Sequence, residues 1–159
     1  MTCSIKCGVT SASVLLSNEC AKHQLNNLIK SQWGEVDVRS NTSCVDVDFE
    51  KYIEMDKLGL HFVAVAYTND KLVGYMSIIL SESPHNKELL AITDSIFISE
   101  DFRGSGLGSS LIKEVESECK LRGVKDLLLT FKEDHPHHQI ITDSGFTKYE
   151  VVYSKHIGG

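Results

Sequence analysis

The segment from Arg103 to Gly108, with the sequence Arg-Gly-Ser-Gly-Leu-Gly, carries the most specific chemical pattern in the chain. It follows a predicted strand and opens a predicted helix. Glycines allow a tight turn and let a ligand approach the backbone amides without interference from side chains. The first amides of a helix lack partners within the helix, and the helix dipole favours negative charge beside them. This pattern therefore predicts a phosphate or pyrophosphate site, to which Arg103 adds a guanidinium group.

Two common phosphate-binding motifs do not fit this segment. A dinucleotide fingerprint has a third glycine where this chain has Ser109, and it accompanies a larger, doubly wound sheet. A P-loop ends in Gly-Lys-Ser/Thr, whereas Gly108 is followed by Ser109 and Ser110. A tight strand-to-helix turn without a ligand is the remaining alternative, which the alternating glycines and Arg103 disfavour.

Hydrophobic periodicity indicates the elements that position this segment. Leu107, Leu111, Val115 and Cys119 are spaced four residues apart, which predicts an amphipathic helix that includes the last glycine. In chain order, the predicted elements are a strand over 13–16, a helix over 18–32 capped by Asn18, a helix from the cap Asp48 to near Gly59, strands over 61–67, 72–80 and 89–98, a helix over 107–123, a strand over 124–131, a short helix over 139–143 and a strand over 146–155.

This order of elements predicts an α/β fold. Short connections make the three strands between residues 61 and 98 antiparallel, whereas the four-turn helix that follows them implies a parallel crossover. The expected result is a mixed, mostly antiparallel sheet with helices on both faces. No repeat or linker divides the chain, so we expect residues 1–159 to form a single domain.

Composition and charge exclude several classes of protein. Hydrophobic residues make up 42% of the chain and charged residues 24%, as in ordinary globular proteins. The chain has 16 basic and 22 acidic residues, which argues against duplex nucleic acid as a partner, because a protein binds a duplex largely by neutralising its phosphates with basic side chains. The longest apolar run, residues 62–67, is much shorter than a membrane span. Five cysteines, an odd number without a C-x-x-C pair, favour reduced thiols and a cytoplasmic location.

The pattern Arg103-x-x-Gly106-x-Gly108 resembles the acetyl-coenzyme A signature of the GNAT N-acetyltransferases, Gln/Arg-x-x-Gly-x-Gly/Ala. The resemblance covers about residues 48–155. It includes the hairpin at 71–75, the strand and approach to the glycines at 94–103, and Gly145-Phe146 before the predicted last strand. The closing stretch, residues 134–156, is most similar to members found in phage genomes.

The resemblance implies the GNAT fold and transfer of an acetyl group from acetyl-coenzyme A to an amine. In this family the glycine segment holds the diphosphate, and the pantetheine arm lies beside the fourth strand. A backbone amide near Phe97 or Ile98 would stabilise the developing oxyanion. The cofactor-binding residues that the resemblance implies are Ile96, Phe97, Ile98, Arg103, Gly104, Ser105, Gly106, Leu107, Gly108 and Ser109.

Asp94 and His135 are the candidate catalytic residues. An amine must lose a proton before it attacks, and Asp94 resembles a carboxylate at the same place in polyamine-type members. The alternative for Asp94 is an ordinary aspartate bonded to backbone, and Glu100 is a second, weaker carboxylate candidate. Many members protonate the departing thiolate with a tyrosine, but the matching position here is Ile141. His135 is the candidate donor in its place, because imidazole titrates near neutral pH.

Several other side chains are open to two interpretations. Tyr149 and Tyr153 are either further candidates for the proton donor or residues on one face of a core strand. His135, His137 and His138 invite a metal site, but their spacing is not diagnostic and we expect no metal. Aromatic residues on the first two helices either line the acceptor groove, as the resemblance implies, or belong to the core; they are Trp33, Phe49 and Tyr52.

The expected partner is an amine acceptor, and the acidic balance favours a polyamine, an aminoglycoside or a lysine side chain. GNAT proteins are often dimers, so the resemblance includes a homodimer among the expected assemblies. The alternative function is a non-catalytic acyl-coenzyme A-binding module that acts through a protein partner. Two departures from the family pattern support that alternative: the absence of tyrosine at position 141, and Asp134 where the family commonly has asparagine.

Overall fold

The computed structural model of the chain describes residues 4–36, 46–131 and 138–158. Within these ranges the elements are β1 (Ile5–Thr10), α1 (Ala12–Ser17), α2 (Glu19–Val36), α3 (Phe49–Lys57), β2 (His61–Thr68), β3 (Lys71–Glu82), β4 (Leu89–Ile98), a 3-10 turn (Glu100–Phe102), α4 (Leu107–Leu121), β5 (Asp126–Leu128) and α5 (His138–Asp143). No helix in these ranges has both the length and the apolar character needed to cross a membrane.

The five strands form one sheet in the order β1-β2-β3-β4-β5. Strands β1 to β4 pair antiparallel, and β4 pairs parallel with β5 after the crossover through α4. At the β2–β3 turn Asn69 and Asp70 have φ of 48° and 61°, the left-handed conformation that a two-residue hairpin turn needs. These features confirm the predicted α/β fold with a mixed, mostly antiparallel sheet.

Side chains of the sheet alternate between two hydrophobic layers. Phe62 of β2 packs in one layer with Leu111 of α4. Val63, the next residue, lies in the other layer with Leu15 of α1 and Leu25 of α2. Helices therefore cover both faces, and the central strands β2 and β3 are almost wholly buried between them.

The N-terminal region differs from the sequence prediction. Residues 13–16, predicted as a strand, belong to α1, and the strand β1 that precedes α1 is missing from the prediction. The reason lies at Ser11, whose hydroxyl accepts a hydrogen bond from the Val14 N–H (3.2 Å) and caps a helix. The helical turn then buries both Ala12 and Leu15, which are three residues apart and which strand alternation would place on opposite faces.

Most of the other predicted elements are confirmed. Asn18 and Asp48 cap α2 and α3, where their side chains accept hydrogen bonds from the N–H groups of Ala21 (3.0 Å) and Lys51 (3.1 Å). The hairpin, β4, α4 and α5 form where the sequence predicts them. Helix α2 continues past its predicted end at residue 32 to Val36.

The predicted last strand is wrong. Residues 146–158 form no strand, and the strand predicted over 124–131 is reduced to β5. Tyr149 and Tyr153, expected on one face of a strand, are both exposed, Tyr153 at 89%. A segment with an alternating hydrophobic pattern forms a strand only where a neighbouring strand supplies hydrogen-bond partners for its backbone. Within the described residues β5 pairs with β4 alone, so the segment has no such neighbour there.

We expect Leu111→Ala to lower the free energy of unfolding by about 2–5 kcal/mol, because it leaves a cavity between α4 and the sheet. Leu111 is 0% exposed, whereas Leu121 of the same helix is 83% exposed. Leu121→Ala is the matched control, with an expected change within about 0.5 kcal/mol. Chemical denaturation of both variants measures the difference. Equal losses would contradict the position of α4 on the sheet.

Candidate active site

The glycine segment forms a turn with open space beside two of its glycines. Gly104 and Gly106 have φ of +73° and +82°, a conformation that other residues adopt only with strain. A Cβ added at either position would meet no heavy atom within 4 Å, so the space beside the turn is open. The first helical bond of α4 runs from the Ser110 N–H to the Gly106 carbonyl (3.1 Å). The N–H groups of residues 107–109 consequently have no acceptor within the helix.

Gly108 serves a different purpose from the glycines before it. A Cβ at this position would lie 2.6 Å from Cδ1 of Ile140, and the glycine is buried. Its small size allows α5 to pack against the first turn of α4. Ile141, at the position where the resemblance expects a tyrosine, is a half-buried residue of this same short helix.

Strand β4 has an open edge close to this turn, because β4 and β5 pair only over residues 90–92. The Ser99 N–H donates to the Val73 carbonyl of β3 (2.9 Å). Backbone groups alternate in direction along an antiparallel pair. Those of Phe97 therefore point toward β3, whereas those of Ile96 and Ile98 point to the open edge.

Side chains from the glycine turn and α2 meet the two carbonyl groups on this edge. Gln32 Nε2 donates to the Ile96 carbonyl (3.3 Å), and Arg103 Nε donates to the Ile98 carbonyl (2.9 Å). Arg103 Nη2 also pairs with Glu35 of α2 (2.8 Å), and its guanidinium lies 5.3 Å from the centroid of the Phe97 ring. Arg103 thus ties the turn to β4 and α2 instead of extending across the glycines.

A bulge in β4 presents Asp94 at the side of the sheet that α1, α2 and α3 cover. The β3–β4 register shifts so that Ser77 pairs with Ser95 and Ile78 with Thr93, which leaves Asp94 unpaired. Its Oδ2 accepts hydrogen bonds from the Tyr52 hydroxyl (2.8 Å) and the Ser77 hydroxyl (3.2 Å). Oδ1 takes part in neither bond. The side chain is therefore held by two hydroxyl groups and keeps one oxygen available.

A buried histidine extends this chain of polar contacts. His61 is 1% exposed, and its Nε2 lies 2.7 Å from Ser77 Oγ. Because Ser77 gives its single proton to Asp94, we assign the His61 proton to Nε2, which leaves Nδ1 as an acceptor. Nδ1 has no hydrogen-bond partner among the described residues.

The buried site shifts the pKa values of its titratable groups. Burial lowers the pKa of His61, an effect that outweighs the opposing influence of Asp94 and Asp56, and Arg122 lowers this pKa further. Burial, and then the hydrogen bond to Asp94, raise the pKa of the Tyr52 hydroxyl. Burial also raises the pKa of Tyr75 to about 12. All three side chains are therefore uncharged at neutral pH.

A cavity of about 330 Å³ opens beside these polar residues. Trp33, Phe49 and Tyr52 line it, in agreement with the groove that the resemblance implies. The Tyr75 hydroxyl, which belongs to another lining residue, donates to Gln32 Oε1. The full lining comprises Ala12, Leu15, Leu16, Leu25, Ile29, Gln32, Trp33, Val47, Phe49, Tyr52, His61, Val63, Tyr75, Ser77, Asp94 and Ser95.

The structure brings some of the sequence candidates together and separates others. Asp94 and the residues from Ile96 to Ser109 lie along one continuous stretch of β4, turn and α4. Glu100 is exposed in the 3-10 turn between them. His135 lies outside the described residues, as does His137. The sequence analysis missed His61, Ser77, Gln32 and Glu35, which come from other elements and carry no local motif.

Comparison with solved structures places the fold among acetyltransferases. An aminoglycoside acetyltransferase from an uncultured soil metagenomic sample, in complex with sisomicin, has a TM-score of 0.73 at 16% identity, with 98% of this chain and 97% of that one covered. An acetyltransferase from Clostridium acetobutylicum with acetyl-CoA scores 0.73 at 14% identity, with 96% of each chain covered. Glucosamine-6-phosphate N-acetyltransferase from Arabidopsis thaliana scores 0.69 at 16% identity, with coverage of 98% and 99%.

Comparison of the sequence with family models identifies the family. Residues 23–146 match the family model described as the acetyltransferase (GNAT) family. No curated protein sequence gives a significant match. The match covers most of the chain, which therefore belongs to the GNAT family and is an acetyl-CoA-dependent N-acetyltransferase.

We expect His61 to make folding stability depend on pH. Its pKa in the folded protein lies below its ordinary value of 6.5, so the unfolded chain binds more protons as the pH falls below 6.5. The stability contributed by neutral His61 is present above pH 6.5 and is lost as the pH falls through the lowered pKa. His61→Gln should flatten this part of the curve of unfolding free energy against pH.

His85→Gln is the control, because His85 is exposed in the β3–β4 loop. Denaturant melts of both variants between pH 5 and 8 make the comparison. An unchanged pH dependence in His61→Gln would show that His61 is not held neutral by burial.

Proposed function

We propose that this domain, residues 1–159, transfers the acetyl group of acetyl-CoA to a primary amine bound in the cavity beside Asp94. The observation that carries the proposal is the position of Asp94 on the same strand as the open edge that leads to the glycine turn. One strand thus connects a diphosphate site, an edge for the pantetheine arm and a carboxylate facing a cavity.

The cofactor fits the described residues at two places. The amides of Gly104, Ser105 and Gly106 and those opening α4 at Leu107, Gly108 and Ser109 would hold the diphosphate, since the helix N-terminus leaves its first amides without acceptors and the space beside Gly104 and Gly106 is open. Ile96 and Ile98 would bond the pantetheine amides through their carbonyl groups on the open edge. Phe97, whose backbone points toward β3, would contribute its ring beneath the Arg103 guanidinium.

Cofactor binding at the edge would require two side chains to give up bonds. Gln32 and Arg103 already donate to the Ile96 and Ile98 carbonyls, which are the acceptors that an added strand would use. Arg103, released from the Ile98 carbonyl, would still be near the turn and free to bond a phosphate oxygen. Its exposed pair with Glu35 offers little resistance, because such pairs contribute under about 1 kcal/mol.

Asp94 would act as the base that prepares the amine. Its Oδ1 would accept the ammonium proton, while Tyr52 and Ser77 hold Oδ2 and orient the carboxylate. The neutral nitrogen then attacks the thioester carbonyl carbon, the C–N bond forms and the C–S bond breaks. An N–H group on the open edge at Ile98 would stabilise the developing oxyanion. The nitrogen loses a second proton as the amide forms, and the departing thiolate takes up one proton. His135 is the proposed relay, which donates to the sulfur and is reprotonated by the proton that the nitrogen loses.

The acceptor and the setting of the reaction are further proposals. A primary amine agrees with the single carboxylate of Asp94 in the described cavity lining and with structural neighbours that act on aminoglycosides and a sugar amine. A cytoplasmic location, a homodimer and an origin in a phage genome remain predictions from the sequence. Binding of coenzyme A without acetylation of any amine would instead support a non-catalytic binding module.

We expect Gly106→Glu to weaken coenzyme A binding by well over tenfold, because a carboxylate side chain would occupy the open space before the α4 amides. Hydrogen bonds to charged groups are worth about 1.5–3 kcal/mol each. Gly123→Glu is the matched control at the other end of the same helix, with φ of +73° and equally open space. Titration calorimetry measures both affinities. Unchanged affinity in Gly106→Glu would refute the diphosphate site.

We expect Asp94→Asn to lower kcat/KM about 10²–10⁴-fold at neutral pH, because the amide cannot accept the ammonium proton. The loss should shrink at high pH, where more of the amine is already neutral. Asparagine keeps an oxygen for the bonds from Tyr52 and Ser77, so the fold should persist. Glu100→Gln, which removes the other carboxylate candidate, should retain the rate. A pH profile identical to that of the unmodified protein would remove Asp94 from the mechanism.

A further inference from the structure

We infer that the acceptor is a small monoamine with an apolar body, which enters the cavity with its ammonium group at Asp94. The inference rests on the proposed function and adds the substrate class to it. This acceptor class differs from the polyamines and aminoglycosides that the acidic composition favours. The difference arises because the acceptor contacts the residues that line the cavity, and these do not have the composition of the whole chain.

Most of the residues that line the cavity are hydrophobic. Helix α1 contributes Leu15 and Leu16, α2 contributes Ile29 and Trp33, and Phe49 begins α3. Among the described lining residues Asp94 is the one carboxylate. A second ammonium group buried against this lining would therefore lose its hydration without meeting an opposite charge, which disfavours a diamine.

The polar groups of the lining are largely engaged with one another. Tyr52 and Ser77 donate to Asp94, and the Tyr75 hydroxyl donates to Gln32 Oε1, bonds that cofactor binding at the edge of β4 leaves in place. An acceptor rich in hydroxyl groups would have to break these bonds or bury its own groups without partners. Burying a hydroxyl group without a hydrogen-bond partner is unfavourable, and an acceptor with many hydroxyl groups would incur that cost at several of them.

Size points to the same class of acceptor. The cavity, at about 330 Å³, lies at the small end of the roughly 300–1,000 Å³ found for ligand sites. It is concave and lies between the sheet and the three N-terminal helices. An alkylamine or arylalkylamine can bury its body there while its nitrogen reaches the available Oδ1 of Asp94.

Hexylamine and cadaverine make a matched pair of probes, because they have the same number of heavy atoms and differ by a terminal methyl against a second ammonium. With acetyl-CoA saturating, we expect kcat/KM for hexylamine to exceed that for cadaverine at least tenfold. Spermidine, kanamycin and a lysine-containing peptide extend the panel. If cadaverine, spermidine, kanamycin or the peptide gave a higher kcat/KM than hexylamine, the inference would be overturned and the proposed function would remain intact.

Acetylation of no amine, with coenzyme A binding preserved, would refute the proposed function and the inference with it. The two failures are therefore distinguishable in one assay. Each comparison uses a ratio of kcat/KM values, which does not depend on the fraction of enzyme that is folded.

Leu16→Asp places a second carboxylate in the cavity wall. It should raise the ratio of kcat/KM for cadaverine to kcat/KM for hexylamine at least tenfold. Trp33→Asp repeats the test at a more exposed lining position, in case the first variant folds poorly. Leu58→Asp is the control, because Leu58 is 72% exposed and lies outside the cavity lining. An unchanged ratio in both lining variants would show that the acceptor body does not occupy this cavity.

Discussion

The divergence of β4 from β5 is the constraint on which the site depends. The two strands share a ladder only over residues 90–92, and beyond it Thr93 Oγ1 bonds the Leu128 carbonyl (3.1 Å) instead of continuing the backbone pairing. The separation creates an unpaired edge in the interior of a sheet, where backbone groups normally have partners. Gln32 and Arg103 meet two of these groups from the side. The protein thus keeps a strand-shaped space beside β4 without leaving those carbonyls unbonded.

The polar chain from His61 through Ser77 to Asp94 shows how the interior can fix a surface carboxylate. Ser77 has one proton and two neighbours, so the direction of one hydrogen bond determines the other. Burial keeps His61 neutral, and a neutral ring can present a single donor to Ser77. The orientation of Asp94 therefore depends on which ring nitrogen carries the proton in a side chain that has almost no contact with solvent.

The sequence predicted those parts of the site that lie close together along the chain. Residues 94–109 are one strand, one turn and the start of one helix, so their spacing alone indicates their relation. His61, Ser77 and Gln32 join the site through tertiary packing of β2, β3 and α2, which single-sequence periodicity does not encode. The same limit explains the predicted strand over 146–155, where alternation gives no information about whether a neighbouring strand exists.

The extra residue that β4 inserts opposite β3 also makes the carboxylate separable from the rest of the strand. Directly paired residues share a face of the sheet, so Ser95 lies with Ser77 on the cavity side, whereas Thr93 lies with Ile78 on the opposite side. Deleting Asp94 would make Thr93 and Ser95 consecutive while they keep these partners and these faces. A β4 shortened by this one residue would therefore lose the carboxylate and retain the unpaired edge that follows it. Loss of the base and retention of the cofactor edge could thus arise together in one deletion.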